Sequence, residues 1–266
     1  MPLPRNAIRA IALAMIALLA SGCERVLFRY LNRGLAPPAE SVVFDAGHGL
    51  ALDVYRARGA APGKAPVVVF FYGGAWQRGE RGQYRFVGER LAANGIVAIV
   101  ADYRTWPRAG FPDFMDDAAR AVAWARAHAA GQGGDPQRLF LAGHSAGAQI
   151  AALLGADGRY LRAAGIDVRD IAGVIGLSGP YDFAIGGVYA RIFGPPAQWP
   201  RAQAVNLVDG DEPPFLLVHG DHDRTVEWRN SVELADRLRA RGEAATLLVL
   251  PGGSHFATVS ALYDPK

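Results

Sequence analysis

The stretch "RLFLAGHSAGAQIAALLG", residues 138–155, decides the fold. It opens with an apolar run typical of a buried strand and closes with an alanine-rich run typical of a helix. Ser145 stands on the turn between them, with Gly143 and Gly147 on either side. A G-x-S-x-G turn between a strand and a helix is typical of a nucleophile elbow, where side chains in place of the glycines would collide with strand and helix. The stretch predicts a nucleophilic serine; the alternative is a serine N-cap between two loop glycines.

Apolar, β-rich runs alternate with helical patterns along most of the chain. This alternation predicts an α/β fold with a mostly parallel, doubly wound sheet of about eight strands, covered by helices on both faces. The first two runs are expected to pair antiparallel, and residues 82–93 are expected to form one helix. Residues 181–212 contain no clear strand and are interpreted as a small lid insertion or pocket wall, with no large cap domain. The eight runs are "SVVFDA" (41–46), "LALDVYRA" (50–57), "APVVVFFYGG" (65–74), "NGIVAIVADYR" (94–104), "RLFLAG" (138–143), "IAGVIGLSG" (171–179), "PFLLVHGD" (214–221) and "ATLLVLPG" (245–252).

The first residues have the form of a secretory signal. A short basic start is followed by an apolar run at residues 10–20 and then by small residues. The end of this segment, "LLASGC", resembles a bacterial lipoprotein box, in which Cys23 becomes the lipidated first residue. We therefore expect a lipoprotein-type signal peptide at 1–22, a tether at 23–40 and a catalytic domain at 41–266.

This reading places the protein in the cell envelope, lipid-anchored to a membrane. By analogy with bacterial lipoproteins, Glu24 after the cysteine, rather than aspartate, favours the periplasmic face of the outer membrane where a cell has two membranes. The alternatives are an uncleaved N-terminal anchor or an ordinary signal peptide, which would give a secreted or periplasmic soluble protein.

Composition excludes several classes of protein. The 266 residues are 51% hydrophobic, which is enough for one sizeable core. The formal net charge is only +3 and no long basic block is present, so no nucleic-acid partner is expected. The single cysteine excludes an intrachain disulfide framework.

A nucleophilic serine needs a histidine base and an acid that orients it, each on a loop after a later strand. The run "PFLLVHGDHDRTV" ends in two aspartates, of which Asp223 is the predicted acid and Asp221 the alternative. His255, in "LLVLPGGSHFAT", follows the last strand and is the predicted base. The cluster of His219, Asp221, His222 and Asp223 could also suggest a metal site, but no clear further ligand accompanies it, and no metal is expected.

The serine chemistry also needs N–H donors aimed at the developing oxyanion. One is expected from Ala146, directly after the serine, at the amino end of a helix. The loop in "VVVFFYGGAWQRG" lets the backbone approach a substrate closely, and the amides of Gly74 and Ala75 are the candidates. The alternative is a plain Gly-Gly turn.

Serine, aspartate and histidine in this order, each at a strand end, resemble the α/β-hydrolase family. The likeness is narrower to carboxylesterases of the isoprenylcysteine methylesterase-like, kynurenine formamidase-like and feruloyl/acetyl-xylan esterase-like (BD-FAE) groups. It implies hydrolysis of carboxylic esters through an acyl-enzyme, on a small-molecule substrate and without a cofactor. The small insertion at 181–212 would leave the site fairly open, which favours esters with short to medium acyl or aryl groups. The stretches that carry it are "YGGAW" (72–76), "ADYR" (101–104), "FPDFMDDAARAVAWARAHA" (111–129), "GGDPQRLFLAGHSAGA" (133–148), "GLSGPYDF" (176–183), "HGDHDRTV" (219–226) and "GSHF" (253–256).

One position departs from these groups, which usually carry histidine where this chain has Tyr72. That histidine helps to shape the oxyanion loop and is not the base, so activity is expected to survive the change.

Two further readings of the chain stay open. The same three residues would serve an amidase, a peptidase or an acyltransferase, and a fold of this kind can also become a catalytically silent envelope binding module.

The aromatic residues of the 181–212 segment and Trp76 would either line an acyl pocket or pack onto the core; those in the segment are Tyr181, Tyr189, Phe193 and Trp199.

Overall fold

The computed structural model describes residues 26–263, and these form one eight-stranded sheet in the order β1-β2-β4-β3-β5-β6-β7-β8. The predicted leader at 1–22 and Cys23 lie outside the described residues. None of the helices in residues 26–263 is both long and apolar enough to cross a membrane. The strands are β1 (Glu40–Asp45), β2 (Leu50–Tyr55), β3 (Ala65–Phe71), β4 (Val97–Ala101), β5 (Gly134–His144), β6 (Ile171–Leu177), β7 (Phe215–Gly220) and β8 (Ala245–Leu250).

The sheet is parallel except at one end. β1 pairs antiparallel with β2, and β2 pairs antiparallel with β4, while every other neighbouring pair is parallel. The central strands β3 and β4 are almost entirely buried, as their continuous apolar runs predict for strands covered on both faces. The mostly parallel α/β sheet of eight strands and its antiparallel first pair are therefore confirmed.

Helices cover both faces of the sheet, and one predicted helix is divided. Residues 82–93 were expected to form a single helix, but a 3₁₀ turn at Arg81–Tyr84 precedes α1. Asn32 explains the division, because its side-chain amide donates to the carbonyls of Gly82 and Gln83 and accepts from the N–H of Phe86. From residue 36 onward the α-helices are α1 (Arg85–Ala93), α2 (Asp113–His128), α3 (Ala146–Ala156), α4 (Arg159–Ala163), α5 (Val188–Ile192), α6 (Arg229–Ala240) and α7 (Ala257–Ser260).

The segment that the sequence suggested as a tether packs onto the domain in its first part. Residues 26–31 are helical, and Phe28 and Leu31 are only 5% and 3% exposed. The Phe28 ring lies 5.0 Å from the ring of Tyr84 and 6.0 Å from that of Phe256, centroid to centroid. We call residues 26–35 the docked segment, because aromatic burial and the Asn32 hydrogen bonds hold it in place.

The segment at 181–212 also packs onto the core. Trp76 stacks on Phe183 with centroids 5.3 Å apart, and its indole N–H donates to the Oε1 of Gln149. Gln149 in turn donates to the carbonyl of Ala202, which ties the segment to α3. Of the two readings for these aromatic residues, the structure shows packing.

Candidate active site

Ser145, His255 and Asp223 come together at the carboxyl ends of β5, β8 and β7. The Ser145 Oγ lies 2.9 Å from Nε2 of His255, and Nδ1 of His255 lies 2.7 Å from Oδ2 of Asp223. Because a carboxylate only accepts, Nδ1 carries the ring proton and Nε2 of the neutral imidazole accepts from the serine hydroxyl. Ser145 is partly exposed, whereas His255 and Asp223 are buried, so the serine is the member that a substrate can reach.

Ser145 sits in a strained backbone conformation at the turn from β5 into α3. Its φ and ψ are 55° and −121°, a region that residues with side chains rarely occupy. A Cβ on Gly147 would lie 2.0 Å from the carbonyl oxygen of Phe71, and one on Gly143 would lie 2.2 Å from that of Gly147. Both predicted collisions are confirmed, and the two glycines let the strand, the turn and the helix approach closely enough to present the serine.

Asp223 is held ionised by four hydrogen bonds. Its Oδ1 accepts from the N–H groups of Thr225 and Val226 at 2.8 and 2.9 Å, while Oδ2 accepts from His255 and, at 3.2 Å, from Nε2 of His219. Burial acts to raise the pKa of Asp223, but the hydrogen bonds from the two histidines and the backbone outweigh it and lower that pKa below its usual value.

Asp221, the alternative acid, lies elsewhere. Its Oδ1 accepts from the backbone N–H of Gly252 at 2.6 Å and stabilises the turn after β8. His219 is buried and bridges Asp223 to the hydroxyl of Ser231, while His222 is exposed. Asp221 and Asp223 therefore face different partners, and both ring nitrogens of His219 are already hydrogen-bonded.

Across residues 26–263, one group of three or more histidine, cysteine, aspartate or glutamate side chains has its ligand atoms within 4.8 Å of one another: Asp45, His48 and Asp117. Two arginines already bind these carboxylates. Arg104 forms a two-point ion pair with the fully buried Asp117, and Arg120 contacts both aspartates. The positive charges make this cluster an ion-pair network unsuited to a cation.

The loop after β3 presents backbone N–H groups beside the serine. Gly74, Ala75 and Trp76 all have positive φ values, 136°, 54° and 59°. A Cβ on Gly74 would lie 2.0 Å from the carbonyl oxygen of Arg78, so only glycine fits there. Within residues 26–263, the N–H groups of Gly74, Ala75 and Ala146 donate to no other protein group. Such strain and such unpaired donors are typical of a site that awaits a ligand oxygen.

Tyr72, at the start of this loop, is held by two hydrogen bonds to Tyr103. Its hydroxyl donates to the carbonyl of Tyr103, and the hydroxyl of Tyr103 donates to the carbonyl of Tyr72, with the two rings stacked 4.5 Å apart. This reciprocal pair fastens the end of β3 to the end of β4. On either side of Tyr103, Asp102 pairs with Arg81 and Arg104 pairs with Asp117. Asp102, Tyr103 and Arg104 therefore have structural roles.

His144, directly before the serine, is a buried residue of the site that sequence reasoning did not assign. Its Nδ1 lies 2.9 Å from the hydroxyl of Tyr84, and its Nε2 lies 3.1 Å from the backbone carbonyl of His255. Burial, with a smaller contribution from His255, lowers the pKa of His144 to about 3, so the ring is neutral at physiological pH. Only its place beside Ser145 in the sequence could have drawn attention to it.

A cavity of about 580 Å³ opens over these groups. Ser145 and His255 lie on one side of it, with Gly74 and Ala75, and the docked segment supplies Phe28 and Asn32 as another wall. No residue between 181 and 212 lines this cavity. The sequence indicated the reactive groups but not this wall, because the partners of Phe28 lie far away in the chain.

The fold and this constellation are those of an α/β-hydrolase. The BD-FAE family profile matches residues 52–238, more than half of the chain, and the protein belongs to that family. Both the family and the fold class predicted from the sequence are confirmed.

Curated relatives agree with this placement. The chain is 33% identical over 226 residues to esterase LipC of Mycobacterium tuberculosis, covering 77% of this chain and 56% of LipC. It is 34% identical over 237 residues to the isoprenylcysteine alpha-carbonyl methylesterase ICME of Arabidopsis thaliana, covering 76% of this chain and 52% of ICME. The chain thus spans about half the length of these relatives.

A solved structure gives the same result for the fold. Apo esterase 2 of Thermogutta terrifontis superposes with a TM-score of 0.73 at 27% identity, covering 82% of this chain and 85% of that one. That esterase has also been solved with propionate and with butyrate bound.

Proposed function

We propose that this protein is a serine carboxylesterase that hydrolyses esters through an acyl-enzyme, with Ser145 as nucleophile, His255 as base and Asp223 as orienting acid. The observation that carries the proposal is the continuous pair of hydrogen bonds, 2.9 Å from Ser145 to His255 and 2.7 Å from His255 to Asp223. The family membership and the esterase names of the relatives support the same reaction.

Acylation begins when Ser145 Oγ attacks the ester carbonyl carbon and its proton passes to Nε2 of His255. The negative charge that develops on the carbonyl oxygen is stabilised by the N–H groups of Gly74, Ala75 and Ala146. Nε2–H then gives its proton to the leaving oxygen, and the alcohol departs.

Water then hydrolyses the acyl-enzyme by the same two steps, proton transfer to His255 and attack on the carbonyl carbon. It gives a proton to Nε2 of His255, attacks the acyl carbon, and the acid leaves as Ser145 regains its proton. The ionised Asp223 stabilises the positive charge of His255 in both steps.

Short to medium acyl or aryl esters are the proposed substrates. The cavity of about 580 Å³ accommodates a small acyl group and a modest alcohol. The related Thermogutta terrifontis esterase 2 binds propionate and butyrate, which are short acyl products.

Hydrolysis of p-nitrophenyl esters with two to twelve acyl carbons tests the reaction and the substrate class together. We expect turnover that is greatest at the short chains and that falls by about 10⁴-fold or more in Ser145→Ala. Labelling of the wild type by a fluorophosphonate, and its loss in Ser145→Ala, counts the reactive serines independently. Absence of both turnover and labelling would support the silent binding module, and cleavage of anilides in preference to esters would support the amidase.

The cellular place of the enzyme is a separate proposal. We propose that Cys23 carries a lipid that holds the protein in the cell envelope, at the periplasmic face of the outer membrane where the cell has two membranes. The sequence "LLASGC", ending at Cys23 and followed by Glu24, supports this. Wild-type protein should partition into the detergent phase of Triton X-114, and Cys23→Ala should move to the aqueous phase. Wild-type protein in the aqueous phase would instead indicate a secreted or soluble periplasmic enzyme.

A further inference from the structure

A buried chain of hydrogen bonds runs through His144, the residue before the reactive serine, and joins two loops of the site. It consists of the N–H of Gly73, the hydroxyl of Tyr84, the imidazole of His144 and the backbone carbonyl of His255. The successive distances are 3.2 Å, 2.9 Å and 3.1 Å. We call this the His144 hydrogen-bond chain.

The chemistry of the groups fixes the direction of every bond. The carbonyl of His255 can only accept, so Nε2 of His144 carries the proton, and Nδ1 of the neutral ring must then accept. Tyr84 donates its hydroxyl proton to Nδ1 and accepts from the N–H of Gly73. With Tyr84 and His144 only 2% and 1% exposed, water cannot readily replace these partners.

The two ends of this chain are the parts of the site that must be aligned with the serine. Gly73 directly precedes Gly74 and Ala75, whose N–H groups face the proposed oxyanion. His255 is the proposed base, and its main chain is held through its carbonyl. His144 itself belongs to the turn that carries Ser145, so one ring contacts the nucleophile turn, the oxyanion loop and the base loop.

Gly73 is closely packed against the side chains of His144 and Tyr84. A Cβ at Gly73 would lie 3.0 Å from both Nδ1 of His144 and the hydroxyl of Tyr84. The loop therefore rests directly on the two side chains, and a shift of either would move it.

We infer that Tyr84 and His144 are positioning residues of the reaction, which set the oxyanion loop and the base loop in register with Ser145 through the His144 hydrogen-bond chain. This inference rests on the proposed esterase function. Both residues also border the cavity, but in this role they act through the two loops that they join by hydrogen bonds. Loss of the chain lowers the stabilisation of the transition state and leaves ground-state binding of the ester nearly unchanged.

The Tyr84→Phe variant tests this with the loss of a single oxygen atom. Tyr55→Phe is the matched control, because Tyr55 is also 2% exposed but its hydroxyl has no hydrogen-bond partner among residues 26–263. On p-nitrophenyl butyrate we expect Tyr84→Phe to lower kcat by about 10- to 100-fold with KM within about 3-fold of wild type, and Tyr55→Phe to match wild type.

Variants of His144 supply a second measurement. His144→Gln keeps one N–H donor and one acceptor, whereas His144→Leu keeps neither, so Gln should retain the larger share of kcat. Rates are expressed per fluorophosphonate-labelled serine, which removes any fraction of unfolded protein from the comparison. Should His144→Leu fail to fold, Tyr84→Phe decides.

The inference is overturned if Tyr84→Phe turns over like wild type, if its loss appears only in KM, or if Tyr55→Phe loses as much. A different result would overturn the esterase proposal itself: wild-type protein would then show no Ser145-dependent turnover at all.

Discussion

Asp221 and Asp223 stand two residues apart at the end of β7, and only their hydrogen bonds tell them apart. Sequence order narrowed the acid to these two residues. Asp223 faces His255, while Asp221 faces the turn at Gly252. The backbone N–H groups of Thr225 and Val226 orient the Asp223 carboxylate. The sequence pattern favoured Asp223 as the acid. The geometry of the turn after β7 decides between the two aspartates, because it directs only Asp223 towards His255.

Substitution of each aspartate by asparagine should separate their roles. Asp223→Asn presents an amide to Nδ1 of His255, which disfavours the productive tautomer and removes the charge that stabilises imidazolium, so we expect kcat to fall by about 10⁴-fold. Asp221→Asn can still accept from Gly252 and should keep kcat within about 3-fold. The measurement is steady-state hydrolysis of p-nitrophenyl butyrate. Equal losses in both variants would contradict the assignment of Asp223.

The docked segment shows what the sequence could predict of individual elements and what it could not. The eight strands, the helix after Ser145 and the antiparallel first pair follow from local periodicity, so local reasoning recovered them. Phe28 lies in the short apolar stretch "VLFRYL" (26–31), but its ring partners Tyr84 and Phe256 come from distant parts of the chain. A contact between residues that far apart leaves no local signal, and a tether was the natural expectation.

Phe28 should set the size of the substrate cavity. Phe28→Leu shortens the side chain on the wall and should move the optimum of the p-nitrophenyl series toward longer acyl chains, with the ratio of kcat/KM for eight against four carbons rising about 3- to 10-fold. Tyr30→Leu is the control, because Tyr30 is in the same segment, 56% exposed, and does not line the cavity. An unchanged profile in Phe28→Leu would show that the acyl group lies elsewhere.

For the whole molecule, the buried neutral His144 ties stability to pH. Its pKa is about 3 in the folded protein and 6.5 without the protein environment. Because the folded pKa is the lower one, the stabilisation is complete above pH 6.5 and is lost as the pH falls toward 3. One such group changes the free energy of unfolding by about 1.4 kcal/mol per pH unit in that window.

Urea unfolding at pH 7.5 and pH 5.0 measures this dependence. Between these two pH values the free energy of unfolding of wild type should fall by about 2 kcal/mol more than that of His144→Gln, because glutamine at position 144 does not titrate. The comparison between variants cancels the contribution of the other ionisable groups. Identical losses in the two proteins would show that His144 is protonated in the fold or is not buried as described.

The docked segment brings the predicted lipid attachment residue and the cavity wall close together in the sequence. Phe28 follows the predicted lipid attachment residue by only five positions, yet it forms part of the chamber that receives the ester. A recombination event that exchanged the predicted export leader at a boundary just before the first strand would replace part of the cavity wall as well. The recombinant protein would then differ from the original in both localisation and substrate range, without a single substitution in the catalytic domain.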